Sequence, residues 1–192
     1  MAELRHLLQK LLYISGLSGK APEAGENHPS AETVHAPRIE SIKGLGKLEH
    51  EPKYDWWRSR PVKVNLLDGK LLPFILDDEY NRLSLLQPIE SAVANFLSLD
   101  PEHREELTEL VYKNYEETRE IATVHELPLR EKSDIWKYVY PGDIFIQQGL
   151  DDPEIHILVS SDCEWEPEHG LQMVFKKGNE IVSVNDAASS YW

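Results

Sequence analysis

The stretch Cys163-Glu164-Trp165-Glu166-Pro167-Glu168-His169-Gly170 gathers the side chains best suited to chemistry. Glu164, Glu166, Glu168 and His169 are potential metal ligands or proton-transfer groups, and Asp162 stands just before them. Two or three carboxylates with one histidine suit a divalent ion, and equally a general acid–base pair. Their spacing matches no familiar ligand pattern such as H-E-x-x-H. The same residues also suit a tight hairpin loop. In that reading Glu168 accepts backbone N–H bonds, His169 packs on Trp165 and Gly170 takes a positive φ. The loop reading is preferred, so no metal, cofactor or catalytic residue is assigned. Asp162, Glu164, Glu166, Glu168 and His169 stand as a candidate site.

The elements that must hold this stretch are strands. If the residues before it are extended, Ile155, Ile157, Val159, Cys163 and Trp165 share one face. His156, Leu158, Ser160, Asp162 and Glu164 share the other. With the first face in the core, Cys163 is a buried thiol and a poor nucleophile. Ile144 to Gln147, Ile155 to Trp165, Leu171 to Phe175 and Ile181 to Val184 read as an antiparallel meander, because Gly and Pro break them at short intervals. Upstream, Val62, Val64 and Leu66 alternate with polar residues before Asp68-Gly69, a two-residue hairpin signal. The returning run, Leu71 to Leu76, is apolar on both faces and belongs inside a sheet or beneath a helix. Pro73 leaves its backbone incompletely paired there. Ile39 to His50 reads as a strand interrupted by Gly44-Leu45-Gly46, a bulge or a close backbone approach. Tyr54, Trp56 and Trp57 beside Arg58 and Arg60 are either a cover for one end of the core or a cation–π site.

Two helices lie between the strand runs. Pro88 fits a first helical position, and Ile89, Val93, Phe96 and Leu97 make a stripe. Asp100-Pro101-Glu102 is a helix start: a cap, a proline in the first turn and an acid at the positive dipole end. Leu107, Leu110, Val111, Tyr115 and Ile121 then keep helical period. Glu105, Glu106, Glu109, Glu116, Glu117 and Glu120 occupy the remaining surface, either as a solvated face or as a docking face. Glu105, Glu109, Glu116 and Glu120 are the candidate partner face. The predicted class is α+β: an antiparallel sheet of several strands with the helix pair packed on one face.

Leu4, Leu7, Leu8, Leu11 and Leu12 predict an amphipathic helix over residues 1–16, stopped by Gly16 and Gly19. So short a helix needs a surface to pack on: its own domain, a second copy or a partner. Its polar face lacks the Lys/Arg content of a membrane-surface helix. Residues 17–38 have linker composition, which leaves 39–192 as one domain.

The formal charge is −14, from 34 acidic and 20 basic residues. Charges through Arg38 cancel, so the net charge belongs to the part that follows. Such a field disfavours nucleic acid and anionic membranes and attracts basic proteins. With 41% hydrophobic and 28% charged residues, global disorder is excluded. One cysteine forms no internal disulfide, which fits a reducing, cytoplasmic setting. Gln9 and Lys10 break the apolar stretch a signal peptide would need.

The run Asp162 to Leu171, followed by Met173-Val174-Phe175 and Lys177-Gly178, resembles the C-terminal signature of a bacterial family of unknown function. That signature is an acidic-W-E-x-E-H-G-apolar hairpin. Gly44-Leu45-Gly46, Asp55-Trp56-Trp57, Pro61-Val62 and Leu67-Asp68-Gly69-Lys70 resemble the family's N-terminal half. The resemblance implies a small soluble domain with no established catalytic residues to transfer. Some similar acidic domains sit among candidate immunity proteins of toxin systems.

Three functional readings follow. The first is a cytoplasmic protein-binding module, of the kind that inhibits a basic toxin or another basic partner, without affinity for nucleic acid or membrane. The alternative is a metal-dependent hydrolase using Asp162, Glu164, Glu168 and His169. The third is a homo-oligomer joined through the N-terminal helix.

Overall fold

Among the described residues, short extended runs ended by glycine, proline or a polar turn fold as ten strands, and two long stretches of 3.6-residue period fold as helices. The computed structural model describes residues 37–121, 126–149 and 152–186. The expected N-terminal helix, and the linker up to residue 36, lie outside the described residues.

β1 (Ser41–Ile42) and β2 (Gly46–Glu51) pair antiparallel. Gly44 and Gly46 have φ of 92° and 80° and reverse the chain between them. The Gly-Leu-Gly signal is thus a turn between two strands, where a bulge or close approach within one strand was expected. β3 (Trp56–Ser59) pairs with β2. β4 (Val62–Val64) and β5 (Lys70–Leu72) make a separate two-stranded hairpin. Its loop is longer than two residues, because a 3-10 turn at Asn65–Leu67 precedes Asp68 and Gly69. After Pro73, β6 (Phe74–Asp77) leaves the hairpin and joins the main sheet beside β3.

Helices α1 (Leu86–Ser98) and α2 (Arg104–Ile121) follow. Pro88 is the third residue of α1, still in the first turn, where no N–H is missed. Asp100 caps a 3-10 turn, Pro101–His103, that leads into α2, and its carboxylate accepts the Glu102 N–H at 2.9 Å. A longer 3-10 segment, Lys132–Tyr138, returns the chain to the sheet. The last four strands are β7 (Val139–Gln148), β8 (Ile155–Cys163), β9 (Leu171–Lys176) and β10 (Glu180–Asp186), antiparallel in sequence order.

The predicted α+β class with an antiparallel sheet is corrected by this topology. The main sheet has eight strands in the order β1-β2-β3-β6-β7-β8-β9-β10 and is mixed, because β6 and β7 run parallel. Strand dominates the fold, with two helices inserted between its halves. The cause is the connection between β6 and β7. It carries both helices, so the chain re-enters the sheet from the end at which it started, which a tight turn cannot do. Sequence showed only antiparallel hairpins because each is marked by a local turn, whereas this junction has no local mark.

The sheet is buried on both faces. On one, Phe74, Leu76, Ile144, Ile146, Ile157, Val159 and Phe175 pack with the stripes of α1 (Ile89, Val93, Phe96) and α2 (Leu107, Val111, Tyr115). On the other, Trp56, Ile75, Phe145, Leu158 and Val174 form a smaller cluster. Among the described residues, no helix is long and apolar enough to cross a membrane.

Candidate functional site

β8 presents Cys163 to the main core, as the alternation predicts, and Trp165, in the turn that follows the strand, enters the same core. Trp165 is 1% exposed, packs edge-on against Tyr115 at 5.8 Å and donates its indole N–H to Asn114 Oδ1 at 2.9 Å. The turn after it is thereby fixed to α2. Gly170 sits at φ 69°, and its N–H donates to the Glu166 carbonyl at 2.8 Å. A Cβ there would stand 2.5 Å from the Ser161 carbonyl oxygen, so only glycine fits.

The five candidate residues separate within this turn. Glu166 Oε1 lies 3.2 Å from His169 Nδ1 and also accepts the His169 N–H at 3.4 Å. Glu164 accepts the Tyr140 hydroxyl proton at 2.8 Å, and this bond is the main reason the phenol titrates above its ordinary value. Asp162 lies opposite Tyr140 in the β7–β8 register and is exposed, as is Glu168. Among the described residues, three ligand atoms within 4.8 Å of one another occur at His50, Asp55 and Asp78, and not in this turn. Glu166 caps the turn, and no ligand set forms around His169. Burial pushes the Cys163 thiol up to about 12, which removes the thiolate a nucleophile needs.

The aromatic group near β3 also divides. Trp56 enters the second cluster, edge-on to Phe145 at 5.5 Å. Arg58 pairs with Asp143 through two bonds of 2.9 and 3.2 Å. Both sequence alternatives have a counterpart here, since Lys53 Nζ lies 4.5 Å from the Tyr54 ring centre; a further cation–π contact is found at α2, where the Arg104 guanidinium lies 4.2 Å from the Trp136 ring centre.

An acidic surface feature lies along the first turns of α2. A groove of about 470 Å³ runs between that helix and the β9–β10 hairpin. Glu102, Glu105, Glu106 and Glu109 form its wall, and Leu66, Leu99, Phe175 and Ile181 its floor. His103 at its rim pairs with Asp100 at 2.9 Å, and that bond holds the Asp100 carboxyl below its ordinary value. Among the described residues, no lysine or arginine lines this groove. A second depression shares Glu105 and Glu109 with the groove and differs in its cations: Arg104, bonded to Asp68, and Lys132, bonded to Glu109, line it with Trp136 and offset part of its negative charge.

Of the predicted partner face, Glu105 and Glu109 line the groove, whereas Glu116 and Glu120 lie further along α2 and do not. Burial first, and the neighbouring Glu116 carboxylate next, raise the Tyr112 hydroxyl above its ordinary value. Glu102 and Glu106 belong to the groove and were outside the predicted face. Its floor was missed because Leu66, Leu99, Phe175 and Ile181 come from four separate segments, and each reads in sequence as an ordinary core residue.

Residues 44–191 match the family model for a domain of unknown function, DUF6985, and the chain belongs to that family. Comparison with the curated proteins and with the solved structures gives no match.

Proposed function

We propose that this DUF6985 domain is a cytoplasmic protein-binding module that holds a basic partner in the glutamate-walled groove of α2, as an immunity-type inhibitor holds a basic toxin. The observation that carries this reading is the pairing of four glutamates, with no lysine or arginine among the described lining residues, with an apolar floor. A lysine or arginine fits such a groove with both of its parts. Its stem lies on the half-buried Ile181, and its charged head meets the carboxylates. The net charge of −14 adds a long-range field that speeds the encounter with a positive surface.

The reading is tested by capturing the tagged protein's partner from its own cells, purifying that partner and measuring the complex at low and high salt. A one-to-one complex with a basic protein is expected. It should weaken as salt rises and lose about tenfold or more in affinity in Glu105→Lys/Glu106→Lys. A complex indifferent both to salt and to this charge reversal overturns it. The alternative hydrolase reading on Asp162, Glu164, Glu168 and His169 gains no support from the turn geometry, because those side chains do not converge.

A further inference from the structure

We propose that His50, Asp55 and Asp78 form a divalent-metal site whose best-fitting ion is Zn²⁺, with three protein ligands and one position open to water. One ligand atom from each lies within 4.8 Å of the other two. His50 Nε2 is already 3.1 Å from Asp55 Oδ1. Ligand atoms around a tetrahedral zinc are about 3.4 Å apart, given zinc–ligand bonds of about 2.0–2.1 Å. The third ligand closes on the ion by small side-chain rotations of His50 and Asp55, both of which are exposed. One imidazole and two carboxylates suit zinc, whereas calcium and magnesium require six or more oxygens.

The ligands are held by the surrounding chain, as metal ligands commonly are. Asp78 is fixed from two sides. Arg38 takes its Oδ2 at 2.6 Å, and the Trp57 indole donates to its Oδ1 at 3.0 Å. A carboxylate oxygen has two lone pairs, so Oδ1 can keep the indole bond and still ligate. Arg38 also donates to the Asp78 and Asn81 carbonyls, which locks the chain where it leaves β6. Asp55 holds φ 59° in the turn between β2 and β3, and its carbonyl accepts the Asp78 N–H at 3.0 Å. The His50 ring lies 4.8 Å from the Trp57 ring, opposite it across the β2–β3 pair. Two turns and one strand end therefore bring three ligands together at one corner of the sheet. Arg38 offsets one carboxylate charge, which sets the affinity below that of an uncompensated site.

This site lies on elements other than the α2 groove, and it stands or falls independently of the partner-binding reading. The test titrates Zn²⁺ alone into the metal-stripped full chain by calorimetry, then repeats the titration with Co²⁺ and reads its d–d absorption. One equivalent is expected, with a low-coordinate Co²⁺ spectrum. His50→Ala and Asp55→Asn should each weaken binding at least tenfold, with the far-ultraviolet circular dichroism unchanged. Asn keeps the left-handed backbone at position 55, so that variant folds. His169→Ala should bind as the parent does. Absence of Zn²⁺ binding, or binding that survives both His50→Ala and Asp55→Asn, overturns the proposal.

Discussion

Trp165 donates its indole proton to Asn114, which makes the β8–β9 turn and helix α2 one mechanical unit. Sequence gives Asn114 no special standing, since it is a polar residue in a helix rich in glutamate. Its amide answers the one polar atom of a side chain that is otherwise fully packed. Asn114→Ala leaves that indole N–H unsatisfied and should destabilise the protein by about 1–3 kcal/mol. Trp165→Ala, which also empties a large core volume, should cost about 3–5 kcal/mol. Urea denaturation monitored by circular dichroism measures both. Equal losses would mean that packing contributes nothing beyond the hydrogen bond.

Gly46 and Gly178 share a positive φ and differ in their surroundings. Nothing lies within 4 Å of a Cβ added at Gly46. A Cβ at Gly178 would meet the Ala92 carbonyl oxygen at 1.9 Å, where the β9–β10 turn presses on α1. Gly46→Ala therefore reports backbone strain alone, about 1–2 kcal/mol. Gly178→Ala must in addition push the turn off the helix, and should exceed the first loss by about 2 kcal/mol or more. Thermal melts of the two variants decide the point. Similar losses would show that the helix moves aside at no cost.

The contrast between these two glycines also marks what was legible in the sequence. Gly178 carries a turn signal and its turn is found, whereas Gly46 reads as a bulge or close approach and is a turn; in both cases a positive φ is a local demand with a local residue to meet it. The inward alternation along β8, with Ile155, Ile157, Val159 and Cys163 facing the core and Trp165 following them just past the strand end, was legible because it too is a local pattern. The parallel junction of Phe74–Asp77 with β7 was not, because it depends on where a long helical connection returns the chain. The candidate site followed the same division. Glu105 and Glu109 were readable as an acidic helix face, whereas the floor of Leu66, Leu99, Phe175 and Ile181 needed the fold to assemble it. His50, Asp55 and Asp78 likewise approach one another only after β3 is set between β2 and β6.

Cys163 offers a direct check on burial. Its thiol is raised to about 12 by desolvation in the core beside Trp165, and the Glu166 carbonyl 4.0 Å from Sγ compensates little. Iodoacetamide at pH 8 should leave the folded protein unlabelled and label it fully once it is unfolded in urea. Mass spectrometry reads the difference. Rapid labelling of the native protein would mean that β8 opens at its C-terminal end without global unfolding.

His156 sets the response to mild acid. It lies on the opposite face of β8 from Ile157, and desolvation, the largest influence, lowers its titration below the ordinary histidine value of 6.5. The facing groups act in both directions. The Glu154 carbonyl, Asp152 and the Glu154 carboxylate favour the charged ring, while Lys176 opposes it. Because the folded value is below the unfolded one, the unfolded chain binds the extra proton first as pH falls. Stability is then complete above pH 6.5 and declines as pH drops from there toward the folded value. The carboxylates of Asp100, Asp134 and Asp152, all lowered mainly by side-chain hydrogen bonds, contribute a separate loss only below about 3.8. Urea midpoints of the parent should therefore fall already between pH 7 and pH 5, and His156→Gln should flatten that interval while leaving the more acidic loss in place. An unchanged slope in the variant would assign the mild-acid loss to another group.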